Sequence, residues 1–159
     1  MQPSSKVTSE VTGRQVISAR VFHIRRDIVF KAWAEPEYLA QWWGPQGFTN
    51  TFHEFNFTEG GNWRFTMHGP DGKDYPNQNI FEEIKAPEQI VLRHDCQPYF
   101  LATFVFDDLG EQTRVTFTQL FDSADVFSKI KDIVVPANEE NFDRLEIQLA
   151  KLLAQQHIS

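Results

Sequence analysis

The chain is short of cysteine, of concentrated positive charge and of long apolar runs, and each shortage closes off a class of function. Cys96 is the only cysteine in 159 residues, so no disulfide can form within the chain, and a reducing, cytoplasmic setting is expected. Lys and Arg number 15 against 22 Asp and Glu, and they are scattered rather than gathered into a stripe. The formal charge of -7 therefore argues against nucleic acid as a partner, because phosphate binding needs clustered cations. No stretch of eighteen apolar residues exists to insert into a membrane, and MQPSSKVTSEVTGR at the start lacks the apolar centre of a signal peptide.

Catalytic signatures are scarce too. His53, His68, His94 and Cys96 show none of the short paired spacings of a zinc site, so no metal and no other cofactor is expected. No serine sits in a G-x-S-x-G elbow, nothing around Cys96 marks a nucleophile, and Gly60-Gly61 reads as a hairpin turn rather than a phosphate loop.

Aromatic side chains are what the sequence has in quantity. They make up 14% of the chain, including fifteen phenylalanines and four tryptophans. A chain of this length forms one domain and buries roughly 70% of its unfolded surface, enough to enclose a cavity. Residues 1 to 13 are polar and read as a flexible tail, with a single domain over residues 14 to 159.

The pattern along that domain is α+β. RQVISARVFHI, Arg14 to Ile24, reads as a strand. Asp27 can cap a short helix carrying Ile28, Val29, Phe30 and Trp33; Pro36 suits the first position of a second, which Gly44-Pro45 ends. From Phe48 to Phe121, about six antiparallel strands alternate apolar and polar faces between turns at Gly60-Gly61, Pro70-Asp71-Gly72, Ala86-Pro87-Glu88 and Asp108-Leu109-Gly110. Within TFHEFNF, Phe52 is out of phase with Phe55 and Phe57, which predicts a bulge or burial on both faces. SADVFSKIKDIVVP is expected to form a short helix and a loop. A long amphipathic helix then runs from Glu139 to Gln155, with Glu139 and Glu140 near its positive end and Phe142, Leu145, Leu149, Leu152 and Leu153 on its apolar side.

A few residues stand out as candidates for chemistry. Trp42 and Trp43 end the second short helix, and adjacent helical residues point about 100° apart, so one can anchor the helix while the other lines a cavity mouth. His53, His94 and Gln119 fall on or near apolar strand faces, where a buried polar group needs a partner inside the protein or on a ligand. Arg64 and Arg93 fall opposite the greasier positions and read as a solvated face; Tyr75 and Tyr99 could orient a ligand only by pointing inward.

The segments VFKAWAEPEYLAQWWGPQGF, EGGNWRFTMHGPDGKDYP, FDDLGEQTRVTFTQ and NFDRLEIQLAKLL, taken in order, resemble the family related to the activator of heat-shock protein 90 ATPase, within the START-like, polyketide-cyclase-like (SRPBCC) superfamily. The resemblance spans about Arg14 to Leu153. It departs from the family before the Gly-Gly turn, where Asn56 and Thr58 stand at positions that often carry Asp and Arg. It implies a helix-grip fold, in which a curved antiparallel sheet wraps a long C-terminal helix around an apolar cavity.

On that fold, the residues expected to line the cavity are Trp42, Trp43, His53, Phe55, Trp63, Phe65, Phe81, His94, Phe104, Phe117, Gln119, Phe142, Leu145 and Leu149. The function expected is that of a non-catalytic carrier or sensor for a small hydrophobic or aromatic molecule, acting as a monomer or homodimer. The alternatives are a cyclase-like or hydrolase-like enzyme using the same cavity, and an interaction domain with a chaperone as partner. An interior filled solidly by its own phenylalanines would sink the carrier and leave only the fold assignment.

Overall fold

The computed structural model describes residues 8–158, with side chains through residue 155. Strands β1 (Thr8–Thr12) and β2 (Gln15–Phe22) form a hairpin, and helices α1 (Arg26–Ala34) and α2 (Pro36–Trp42) follow. Six strands come next: β3 (Thr49–Phe55), β4 (Asn62–His68), β5 (Asp74–Lys85), β6 (Gln89–His94), β7 (Phe100–Asp108) and β8 (Thr113–Phe121). Helix α3 (Ala124–Ile158) ends the chain. All eight strands form one antiparallel sheet in the order β1-β2-β8-β7-β6-β5-β4-β3. The two short helices carry the chain from β2, beside β8, to the far edge at β3, so the helices and the apolar strand faces meet on one side of the sheet. This is the helix-grip arrangement.

The strand phases follow the alternation of the sequence. β7 and β8 bury every second residue, Phe100, Ala102, Phe104 and Phe106 on one and Thr113, Val115, Phe117, Gln119 and Phe121 on the other. The irregularity expected in TFHEFNF is a β-bulge, with the β3–β4 register shifting between Phe52 and Glu54. Pro36 opens α2 as expected. Asp27 lies inside the first turn of α1 rather than capping it; Arg25 holds the cap position and makes no side-chain cap bond.

Three further expectations about the elements need correction. The short helix and loop before Glu139 are instead the first half of one 35-residue helix with Pro136 inside it. Proline removes one N–H from the helical ladder and ordinarily breaks it. Here packing holds the preceding turns in place: Phe127 is 3% exposed and stacks on Phe121 at 5.0 Å, while Ile130, Val134 and Val135 pack against the core. Glu139 and Glu140 consequently sit in mid-helix. Glu139 accepts from the Ser9 hydroxyl at 3.1 Å and Glu140 from the Gln46 N–H at 3.1 Å. The tail expected over residues 1 to 13 lies outside the described residues up to residue 7, and Thr8–Thr12 pairs with β2 as an edge strand.

Candidate ligand-binding site

The site is assembled where α2, α3 and the inner sheet face meet. Arg144 on α3 reaches across to the turn that follows α2. Its Nη1 donates to the carbonyls of Trp43, Gly44 and Pro45 at 3.3, 2.8 and 2.9 Å, and its Nη2 to those of Gln41 and Phe48 at 3.2 and 3.0 Å. Asn141, one turn earlier, accepts from the Gly44 N–H at 2.7 Å. Burial pulls the Arg144 guanidinium below its usual pKa, and a fork of five donors suits a cluster of carbonyls that an ammonium could not span. Gly44 has φ of 103°, and a Cβ there would come within 2.6 Å of the Met67 methyl, so this turn depends on glycine. Sequence reading passed over Arg144, since an arginine on an amphipathic helix carries no mark of the loop it will meet.

This clamp aims the tryptophan pair. Trp42 is 2% exposed, donates its indole N–H to the Ala32 carbonyl at 3.0 Å, and packs edge-on against Trp33 at 4.7 Å, which ties α2 to α1. Trp43 is half-buried and turns toward the sheet, meeting Trp63 at 5.3 Å, Phe104 at 6.1 Å and Phe117 at 6.4 Å.

Beneath it, Phe65, Phe81, Phe104 and Phe117 are each no more than 3% exposed, as are Phe142, Leu145 and Leu149. The centre of the sheet–helix interface is thus packed ring against ring. Aromatic surface is open at the edge strand, where Phe52, Phe55 and the following Phe57 are half-buried. Phe52 and Phe55 lie 5.5 and 6.0 Å from Trp63, and Phe55 stacks on Phe57 at 6.0 Å.

The three polar candidates separate. Gln119 faces inward and accepts from Asn138 Nδ2 of α3 at 2.7 Å, a pair closed within the protein. His53, expected on the apolar side, lies exposed and 2.8 Å from the Thr66 hydroxyl, because the bulge after Phe52 reverses the phase of β3. With Arg64, Thr66, Pro76, Gln78, Asp95 and Cys96 it borders a surface hollow of about 370 Å³. His94 faces inward, 7% exposed and stacked on Phe100 at 4.5 Å. Its Nδ1 donates to the Pro98 carbonyl at 2.7 Å, while Nε2 lies 2.7 Å from Asn77 Oδ1 and 3.3 Å from Cys96 Sγ. Two acceptors would favour an imidazolium, yet burial outweighs them and lowers the His94 pKa; burial also raises that of the Cys96 thiol. With a neutral ring, Nε2 is an acceptor that the thiol can fill.

Arg64 and Arg93 point away from the interior and pair with carboxylates, Arg64 with Glu54 at 3.2 Å and Arg93 with Glu82 and Asp122 at 3.3 Å. Tyr75 and Tyr99 are 40% and 41% exposed. The described residues contain no group of three or more His, Cys, Asp or Glu placed to hold a metal. No helix among them is long and apolar enough to cross a membrane.

Comparison with known proteins agrees with this architecture. The family profile described as Activator of Hsp90 ATPase homolog 1-like protein matches residues 23–153. A solution structure from Arthrobacter aurescens superposes with a TM-score of 0.83 at 24% identity, covering 92% of this chain and 91% of its own. One from Staphylococcus epidermidis gives 0.76 at 26% identity, covering 94% of each. A Silicibacter pomeroyi crystal structure named for the same family gives 0.69 at 17% identity, over 86% of this chain and 97% of its own. No curated protein sequence matches the chain.

Proposed function

The chain belongs to the Activator of Hsp90 ATPase homolog 1-like family, and from that premise we propose that it is a non-catalytic carrier or sensor for a small hydrophobic or aromatic molecule. The observation that carries this reading is the half-open aromatic flank at β3, where Trp43, Phe52 and Phe55 border the buried Trp63 and Phe57 stacks on Phe55. The centre of the interface is lined by buried rings in mutual contact. A ligand therefore enters by parting the rings of an edge strand held by hydrogen bonds on one side only, and it gains about 25 cal/mol for each Å² of apolar surface removed from water. Part of that gain offsets the lost freedom of the ligand and of the displaced rings.

A cyclase-like or hydrolase-like reading has less support, since acid–base chemistry needs groups that converge on one point. The inward His94 has both ring nitrogens occupied, and Arg64 and Arg93 lie on the opposite face. A chaperone-contacting role is the alternative that the family's name suggests. Titration with the uncharged fluorophore N-phenyl-1-naphthylamine tests the carrier: saturable one-to-one binding, weakened by Trp43→Ala, is expected. A linear, non-saturating response would overturn it, and a chaperone pull-down unaffected by the fluorophore would favour the interaction domain.

A further inference from the structure

Inner-face residues line up across the sheet in one register row: Phe55 on β3, Trp63 on β4, Asn79 on β5, His94 on β6, Phe100 on β7 and Phe121 on β8. Rings flank a polar step at its middle. His94 spends Nδ1 on the Pro98 carbonyl and Nε2 on the Cys96 thiol. Trp63 and Asn79 do not spend theirs. Each is 1% exposed, and the indole Nε1–H of one and the amide Oδ1 of the other are buried with no hydrogen-bond partner.

A buried donor and a buried acceptor left unmade cost about 1–3 kcal/mol each, and native proteins seldom carry them without cause. Arg20 Nε, Trp33 Nε1 and Asn50 Oδ1 are buried without a partner too, but the Trp63 and Asn79 atoms are complementary and sit on directly opposed Cα partners, which in an antiparallel pair stand about 4.5–5.5 Å apart. Their surroundings are aromatic: Trp63 stacks on Phe65 at 4.5 Å and meets Trp43, Phe52 and Phe55 through its other neighbours.

We infer that Trp63 and Asn79 form a polar subsite for the hydroxyl group of an aromatic ligand, the oxygen accepting from the Trp63 N–H and the proton going to Asn79 Oδ1. A hydroxyl is the smallest group that both accepts and donates, so it satisfies both orphan atoms at once. An apolar ligand of the same shape leaves both unmet. The inference rests on the carrier reading and adds the chemistry of the molecule carried.

The test is equilibrium dialysis with two probes of matched shape, 2-naphthol and 2-methylnaphthalene, against the full chain and Asn79→Leu. Wild type is expected to hold 2-naphthol about tenfold more tightly. Asn79→Leu is expected to lose that preference while still binding 2-methylnaphthalene, and to unfold no more easily than wild type. Trp63→Phe is expected to reduce the preference in the same direction. Equal binding of both probes by wild type would overturn the hydroxyl subsite and leave the carrier standing, as would a preference that survives in Asn79→Leu. Loss of folding in Asn79→Leu would also overturn it, by showing that the amide serves the protein itself. If neither probe binds, the carrier reading falls, and the subsite with it.

Discussion

The inner face of the sheet has two unlike halves. Over β2, β8 and β7 the polar groups are closed among themselves: Gln119 with Asn138, Thr113 with the Ile24 carbonyl at 2.7 Å, and Arg20 with Asp143 and Glu146 at 2.7 and 3.1 Å. Over β3, β4 and β5 the same depth of burial leaves Trp63 Nε1 and Asn79 Oδ1 unpaired, and the rings at the edge are half-open. In the first half these side chains each engage a partner, although Arg20 Nε, and Trp33 Nε1 where it packs on Phe104 and Phe106, are also buried without one. The second differs in setting an unpaired donor and an unpaired acceptor opposite each other on one strand pair, beside rings half-open at the edge, and the proposed subsite rests on that difference.

Substitutions can break or sharpen this contrast. The largest effect is expected from Leu145→Ala, which opens a cavity in the sealed half and should lower unfolding free energy by roughly 2–5 kcal/mol in urea titration. Phe55→Ala, at the open edge, should cost clearly less; an equal cost would erase the distinction between the halves. Arg144→Ala strips the donors from five carbonyls and should cost about 3 kcal/mol, with Arg144→Lys a poor rescue, read from the same titration and from a shift in Trp43 emission. Asn138→Leu leaves Gln119 Oε1 buried and unmet, for a loss of about 1–3 kcal/mol, whereas the apolar replacement of Asn79 should cost nothing.

The smallest effect is a pH dependence. Burial holds the folded-state pKa of His94 below its ordinary value of 6.5, so the unfolded chain takes up the proton first as pH falls. Its contribution is intact above pH 6.5 and is lost as pH falls from there through the depressed folded value. Thermal melts should show His94→Gln with a flatter acid limb in that window than wild type; an unchanged limb would mean that the imidazole charges freely in the folded state.

Much of the fold was legible in the residues because strand alternation and helical spacing are local signals. FLATFVF and RVTFTQ declare their buried faces residue by residue, and the misphased Phe52 announces its bulge. Pro136 misled, because its local preference is to stop a helix, and the contacts that overrule it come from the Phe121–Phe127 stack and from a core assembled out of distant strands. His53 misled for a related reason. A bulge inverts the phase of everything after it, and the sequence shows that something breaks the pattern without showing on which residue.

Composition and periodicity by themselves determined that this chain would be an aromatic-rich α+β domain, because the free energy of burying a ring depends mainly on its area and scarcely on its address. Only the tertiary structure decided which polar groups would be answered. Whether Gln119 meets Asn138 while Asn79 and Trp63 meet nothing depends on strand register and on where α3 lies, and a hydrogen bond is lost over a displacement of an ångström that no local pattern encodes.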